Sequence, residues 1–424
     1  MRRLDLQETT GPSIDDVAWK SLYRKEIYDA ATADGWLLQI TRYQPVRQSF
    51  DQPIFGEPLL LVPGWSQNRH AFSCGSFVKN LLYFGADVHI LELRGHGKSS
   101  RALQLERHHR DGRPLPHDFD FGWDLDSYFL YDVPAAVKAV KEKSGRDKIF
   151  YVGNSMGGML GYGYAGCHDD LAGLVTMGAP SDIGRGFFPL KLAATFGPVM
   201  VGSLLDTLFA TVRGVDNVRH GTAKTLRKLR MPNFLANRFA PEGSEPTDAR
   251  YRHVPMDFLL KGLSKAVTED TLRLYEKVAR HVTVMINPTR VTADDFQWLL
   301  REGSEKEPRK VVEQFARWIR DDEMKCYRTG YDFKEHYKDI SLPLAIIWGG
   351  LDKIASAEST QSIYKEAKSE YLLWRPVKNN NHLELTMGYD IRHICADIKD
   401  LVEYAVRRQH GPRRRRPLEA VADE

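Results

Sequence analysis

A serine stands between two glycines in Gly153-Asn154-Ser155-Met156-Gly157, after the apolar run at 148–153 (KIFYVG) and before the small-residue stretch at 158–162. A strand entering a helix through so tight a turn strains the central residue and lifts its hydroxyl above the sheet edge. The flanking glycines let neighbouring chain press against that turn. A serine hydroxyl is a weak nucleophile at neutral pH, so a base must take its proton as it attacks. The run at 344–349 (LAIIWG) leads into Gly350-Leu351-Asp352, and the run at 370–375 (EYLLWR) leads to Asn379-Asn380-Asn381-His382. The interval, 382 − 352 = 30 residues, holds one helix and one strand, which allows both groups to return to the edge where Ser155 stands. His382 is the expected general base and then general acid, with Asp352 fixing its tautomer and stabilising the imidazolium. Taken singly, Asp352 also reads as a helix cap and His382 as a loop histidine; the ordered trio is what points to nucleophilic catalysis. Glu384 is too close to His382 in the chain to be the obvious orienting acid, and Glu358 sits past the strand end.

An oxyanion that develops on the attacked carbonyl needs preorganised N–H donors. One is expected from the backbone of Met156, directly after the nucleophile. The other is expected from Trp65 in the turn Pro63-Gly64-Trp65-Ser66, where Gly64 allows close backbone approach. The loop Arg94-Gly95-His96-Gly97-Lys98-Ser99 carries a GxG, but the longer GxGxxG pattern is incomplete and no cofactor unit surrounds it. It reads as a structural turn, and its His96, which precedes the serine, as a hydrogen-bonded loop residue. His108-His109 lacks ligand partners at helical spacing and reads as a surface loop. No organic cofactor and no metal is expected.

Those side chains need elements that bring them to one edge. The run at 36–43 (WLLQITRY) alternates and reads as an antiparallel strand, whereas 59–62, 87–93 (DVHILEL), 148–153, 174–178 (LVTMG), 344–349 and 370–375 are nearly continuous apolar runs. Strands buried on both faces look like this, with helices as their crossovers. Val133, Ala136, Val137 and Val140 form one helical stripe, with Asp132 and Pro134 suited to its start, although Pro134 equally suits a kink in a longer helix. The alternation predicts an α/β fold with a doubly wound, mostly parallel sheet. Helical patterns dominate between about 181 and 340, as at 257–279 and 308–322, and strand-like runs resume at Leu342. The expected division is a core of 1–180 and 341–410, a helical cap inserted at 181–340, and a basic disordered tail at 411–424. Within the cap, 192–205 (LAATFGPVMVGSLL) is uncharged, too short to span a bilayer, and reads either as buried cap core or as a lid face meeting apolar substrate.

Hydrophobic residues at 42% and charged residues at 27% describe a soluble globular chain, and a formal charge of +4 is too small to imply nucleic-acid binding. The basic run Arg413-Arg414-Arg415-Arg416 reads as a solvated tail, with transient attraction to an anionic membrane surface as the other reading. Cys74, Cys167, Cys326 and Cys395 are scattered and read as reduced thiols. With no apolar signal segment at the N-terminus, a cytoplasmic location is expected.

The set LVPGW, ELRGHGKS, YDVPAAVKAV, KIFYVGNSMGG, WGGLDKIA and NNNHLELTMGYD resembles α/β-hydrolases of the acid-lipase type and their bacterial relatives. The resemblance covers 34–180 and 342–404 and is specific at 131–158 and in Asn381-His382-Leu383-Glu384. It implies Ser155, Asp352 and His382 as a catalytic triad and hydrolysis of a small-molecule or lipid ester with an apolar acyl chain. The chain departs from the family pattern at Asn154, where His is frequent, and at Pro63-Gly64, where the loop often begins His-Gly. An acyltransferase using the same triad with a non-water acceptor is the alternative.

Overall fold

Leu59, Leu60, Leu61 and Val62 are all excluded from solvent, and they part to opposite sides of one sheet. Leu60 and Val62 join one apolar cluster, Leu59 and Leu61 another, as the two-residue period of a strand requires. The same split holds for Tyr151 against Phe150 and Val152, and for Ile346 against Ala345 and Ile347. The structure is a computed structural model that describes residues 21–186, 214, 217–229, 231–240, 253–254, 256–273 and 285–409.

Eight strands form this sheet: β1 (Tyr23–Ala31), β2 (Leu37–Pro45), β3 (Pro58–Val62), β4 (Asp87–Glu92), β5 (Ile149–Asn154), β6 (Leu171–Met177), β9 (Leu344–Gly349) and β10 (Leu372–Val377). The two-residue strands β7 (His253–Val254) and β8 (Glu307–Pro308) make a separate antiparallel pair. The order in the large sheet is β1-β2-β4-β3-β5-β6-β9-β10. β2 pairs antiparallel with both neighbours, and every other pair is parallel. The fold is thus the α/β class with the mostly parallel sheet read from the sequence. Helices Val133–Ser144 and Met156–Cys167 pack on one face, and helices Phe77–Phe84 and Ile391–Gln409 cover the other. The chain moves from β3 to β4 on one side and then returns to lay β5 on the other. Such a reversal opens a crevice at the carboxyl ends of the strands, where open α/β sheets place their ligands.

Between β6 and β9, neighbours in the sheet, the chain makes an excursion that includes helices Met256–Ser264, Ala293–Glu302 and Arg309–Asp321. The helical pattern at 257–279 is interrupted: the helix stops at Ser264, a turn follows, and helix resumes only at 269–273, with 274–279 outside the described residues. The run 192–205 and the tail 411–424 also lie outside them. Among the described residues no helix is long and apolar enough to cross a membrane.

Two local expectations change. Helix Val133–Ser144 continues directly from Leu125–Ser127 and a π-helical turn at Tyr128–Asp132, so Pro134 sits inside a longer helical run. Asp132 does not cap that helix; its carboxylate turns instead to Arg94. His108-His109 is not a surface loop but the end of helix Arg101–Arg110. His108 is buried with its Nδ1 2.8 Å from the Pro114 carbonyl, because the chain folds back over the helix end.

Candidate active site

Ser155 stands at the carboxyl end of β5 with φ 50° and ψ −120°, a conformation that side chains rarely adopt. Strain of this kind costs about 1–3 kcal/mol and persists only where the surroundings impose it. The Ser155 N–H donates to the Met177 carbonyl at 2.8 Å, tying the turn to β6. A Cβ at Gly153 would lie 2.5 Å from Gly157 O, and one at Gly157 only 2.3 Å from Val62 O. No side chain fits either place, so the two flanking glycines of the motif are sterically required.

His382 comes to this turn from the loop after β10. Its Nε2 lies 2.9 Å from Ser155 Oγ, and its Nδ1 lies 2.7 Å from Asp352 Oδ2. Asp352 follows β9, and its other oxygen accepts the N–H groups of Ile354 and Ala355 at 2.8 and 3.0 Å. Asp352 is not the helix cap it could also have been, since Ser356 caps helix Ala357–Glu366; one of its oxygens holds the turn before that helix and the other faces the imidazole. Burial disfavours the charged imidazole, but the Asp352 carboxylate outweighs it and holds His382 above the usual histidine value. Ser155, His382 and Asp352, separated by 227 and 30 positions in the chain, thus form one hydrogen-bonded line.

Glu384, set aside in the sequence as an orienting acid, does not touch the imidazole in this line. It grips the loop that carries it: Asn381 N–H donates to its Oε2 at 2.5 Å, and Asn287 N–H donates to its other oxygen. The Asn381 side chain in turn accepts the His382 N–H at 3.0 Å. Burial pushes Glu384 up to about 7. Glu358 is exposed on helix Ala357–Glu366, away from this grip.

The turn after β3 runs beside the serine: a Cβ at Gly64 would lie 3.1 Å from Ser155 Cβ. Gln67 Oε1 accepts the Gly64 N–H at 3.1 Å and the Asn154 Nδ2 at 3.2 Å, so the turn is fastened to the residue before the nucleophile. Met156 N–H belongs to the first turn of its helix, where an N–H has no partner within the helix. The turn that carries Trp65 thus lies against Ser155 at Gly64, and among the described residues no backbone acceptor takes the Trp65 N–H. His96 lies behind this turn, fully buried, and burial drives it down to about 4, so it stays neutral. Among the described residues no cluster of His, Cys, Asp and Glu is arranged to hold a metal.

A cavity of about 670 Å³ adjoins the line. Trp65 and Leu383, next to His382, form its near wall, and Leu260, Val267, Phe296 and Leu300 of the excursion line the rest. Which excursion residues meet the site is not legible in the chain itself, because their burial depends on packing against a distant loop.

The family model of the alpha/beta hydrolase fold matches residues 57–382, a span that takes in Trp65, Ser155, Asp352 and His382. A putative lysosomal acid lipase/cholesteryl ester hydrolase of Crotalus adamanteus is 24% identical over 51% of this chain and 52% of its own length. The match thus spans about half of that relative. A tear acid lipase-like protein of Mesocricetus auratus is 20% identical over 90% of this chain and 88% of its own. Among solved structures, a thermophilic esterase from Thermogutta terrifontis superposes with a TM-score of 0.45 at 14% identity, over 90% of this chain and 99% of that one.

Proposed function

Since the chain belongs to the α/β-hydrolase family, whose model spans residues 57–382, we propose that it is a serine carboxylic-ester hydrolase acting on an ester with an apolar acyl chain. The observation that carries this reading is the line Asp352–His382–Ser155, at 2.7 and 2.9 Å, beside an apolar cavity. His382 Nε2 takes the hydroxyl proton as Ser155 Oγ attacks the ester carbonyl carbon. The carbonyl π electrons move to oxygen, and the N–H groups of Trp65 and Met156 stabilise that oxyanion. When the tetrahedral intermediate collapses, the bond to the alcohol oxygen breaks and His382 returns the proton to the leaving alkoxide. Water then repeats the sequence on the acyl-serine and frees the acid. Asp352 keeps Nδ1 protonated and lowers the cost of the imidazolium in both halves.

In this reading the cap at 181–340 supplies the acyl and alcohol pockets, and the acid-lipase names among the relatives support a lipid or small-molecule ester as substrate. The proposal extends to a reducing, cytoplasmic setting, which the four free thiols support. An active-serine fluorophosphonate probe tests the assignment directly. The wild type is expected to be labelled and Ser155→Ala to remain unlabelled; equal labelling of the two removes Ser155 from the reaction.

A further inference from the structure

Glu307 belongs to the excursion between β6 and β9, yet its carboxyl group is spent on the turn beside Ser155. The side chain is fully buried. Oε1 accepts the Ser66 N–H at 2.7 Å, and Oε2 accepts the Tyr128 hydroxyl at 3.0 Å. The Tyr128 oxygen in turn accepts Trp123 Nε1 at 2.9 Å, and His96 Nε2 lies 3.4 Å from Oε1. The flanking residues make the attachment continuous. Glu305 N–H donates to the Ser66 carbonyl at 2.9 Å, Ser66 Oγ donates to the Glu305 carbonyl at 2.6 Å, and Gln67 pairs with Ser304 in an antiparallel bridge. The Glu305 carboxylate accepts Asn68 Nδ2 at 2.7 Å and Gly97 N–H at 2.9 Å.

Ser66 has φ 58°, a left-handed conformation costly for a residue with a side chain and kept only if something holds it. The holder has a geometric consequence. Gln67 Oε1 occupies the Gly64 N–H, and Glu307 Oε1 occupies the Ser66 N–H. Two alternate peptide planes are thereby pinned, and the amide between them is Trp65 N–H. A buried carboxyl is expensive unless its lone pairs are used, and the lone pairs of Glu307 are used here.

We propose that Glu307 is a positioning residue for the oxyanion donor: by holding Ser66 N–H it fixes the peptide plane next to Trp65 and keeps the Trp65 N–H directed at the reacting carbonyl oxygen. The inference rests on the ester-hydrolase reading above. It also means that the inserted segment completes the oxyanion site from outside the core, besides lining the cavity. Burial pushes Glu307 up to about 8; glutamine keeps the Oε1 acceptor for the Ser66 N–H, and its amide N–H₂ in place of Oε2 donates to the Tyr128 oxygen, whose own proton turns away.

The test compares Glu307→Asp, which draws the acceptor back by one methylene, with Glu307→Gln, which keeps its reach. Loss of one oxyanion donor costs about 100- to 1000-fold in kcat, so a misdirected one in E307D is expected to cost about 10- to 100-fold. KM for a p-nitrophenyl ester stays within about twofold, because only the transition state uses the donor. Affinity for an alkylboronic acid, which forms a tetrahedral adduct on the serine, falls by the same factor as kcat. E307Q recovers both to within about threefold of wild type. Thermal melts accompany each variant, and if E307D does not fold, E307M, which fills the space without an acceptor, takes its place. A wild type that ignores the fluorophosphonate overturns the hydrolase reading and this inference together. A labelled, active wild type with E307D at full kcat, or with E307Q impaired as badly as E307D, overturns the inference alone.

Discussion

Asp352 divides its carboxylate between two tasks, and the division sets what its replacement should do. Asp352→Asn can still offer its carbonyl oxygen to Ile354 and Ala355, so the turn after β9 survives. Its amide N–H₂ then faces His382 Nδ1 and forces the wrong tautomer, which leaves no lone pair for the Ser155 proton. A fall in kcat of about 10³- to 10⁴-fold is expected. The pH profile carries a second readout. A general base must be neutral, so kcat/KM rises with pH through the His382 pKa, which Asp352 holds above 6.5. Without that carboxylate the desolvation of the imidazole is opposed only by the nearby Glu384, and the midpoint of the residual activity moves down. Glu384, at about 7, titrates in the same window, so the profile is recorded for Glu384→Gln too. A midpoint that stays put in D352N, or that vanishes in E384Q, shows that the acid limb does not belong to His382. Ser155, Asp352 and His382 were legible in the sequence because each sits where an apolar run ends, and the ends of parallel strands share an edge. The roles of Glu384 and Glu307 were not: a carboxylate reads as solvated until the fold shows what covers it, and both are covered by segments distant in the chain.

The elements are fixed to one another by a buried cation. Arg94, in the loop after β4, is entirely enclosed and meets Asp132 at 2.6 Å, Asp34 at 2.6 Å and Asp118 at 2.8 Å. Those acids come from the β1–β2 turn, the segment before the long helical run, and the helical run itself. Burial lifts Asp132 to about 6 despite the guanidinium beside it, so desolvation is the larger influence there. Such a cluster is weak evidence of net stabilisation, but removing one partner strands the others. Arg94→Met is therefore expected to lower the unfolding free energy by about 3–5 kcal/mol. Urea denaturation reads it, and a loss under about 1 kcal/mol would show that water or relaxation satisfies the acids. In the loop after β4, Arg94 was invisible as a keystone because its three partners lie 24 to 60 positions away. The central strands were legible for the opposite reason: burial on both faces writes a continuous apolar run into the chain itself. The π-helical turn at Tyr128–Asp132 left no such trace, since one residue of extra winding alters no composition.

At the scale of the molecule, the two parts of the site have different origins. The sheet edge supplies the reactive line, and the excursion between β6 and β9 supplies most of the apolar wall around a cavity of about 670 Å³. That volume lies within the range of about 300–1,000 Å³ usual for ligand sites. Under the proposed function, a cavity lined by Trp65, Leu383 and apolar excursion residues suits an acyl chain better than a polar head group. Chain-length preference then follows from how many methylenes it buries, each worth about 0.8 kcal/mol. Leu260→Trp adds bulk to the wall without touching Ser155, Asp352 or His382. Displacing two methylenes of a long chain should cost about 1.6 kcal/mol, a drop in kcat/KM of about tenfold for p-nitrophenyl laurate. The acetate ester, whose acyl group ends before the wall, should change by no more than about twofold. Measured across esters of increasing length, the variant's optimum is expected to shift toward shorter chains. A uniform loss at every length would place the acyl chain elsewhere and leave the cavity to the alcohol.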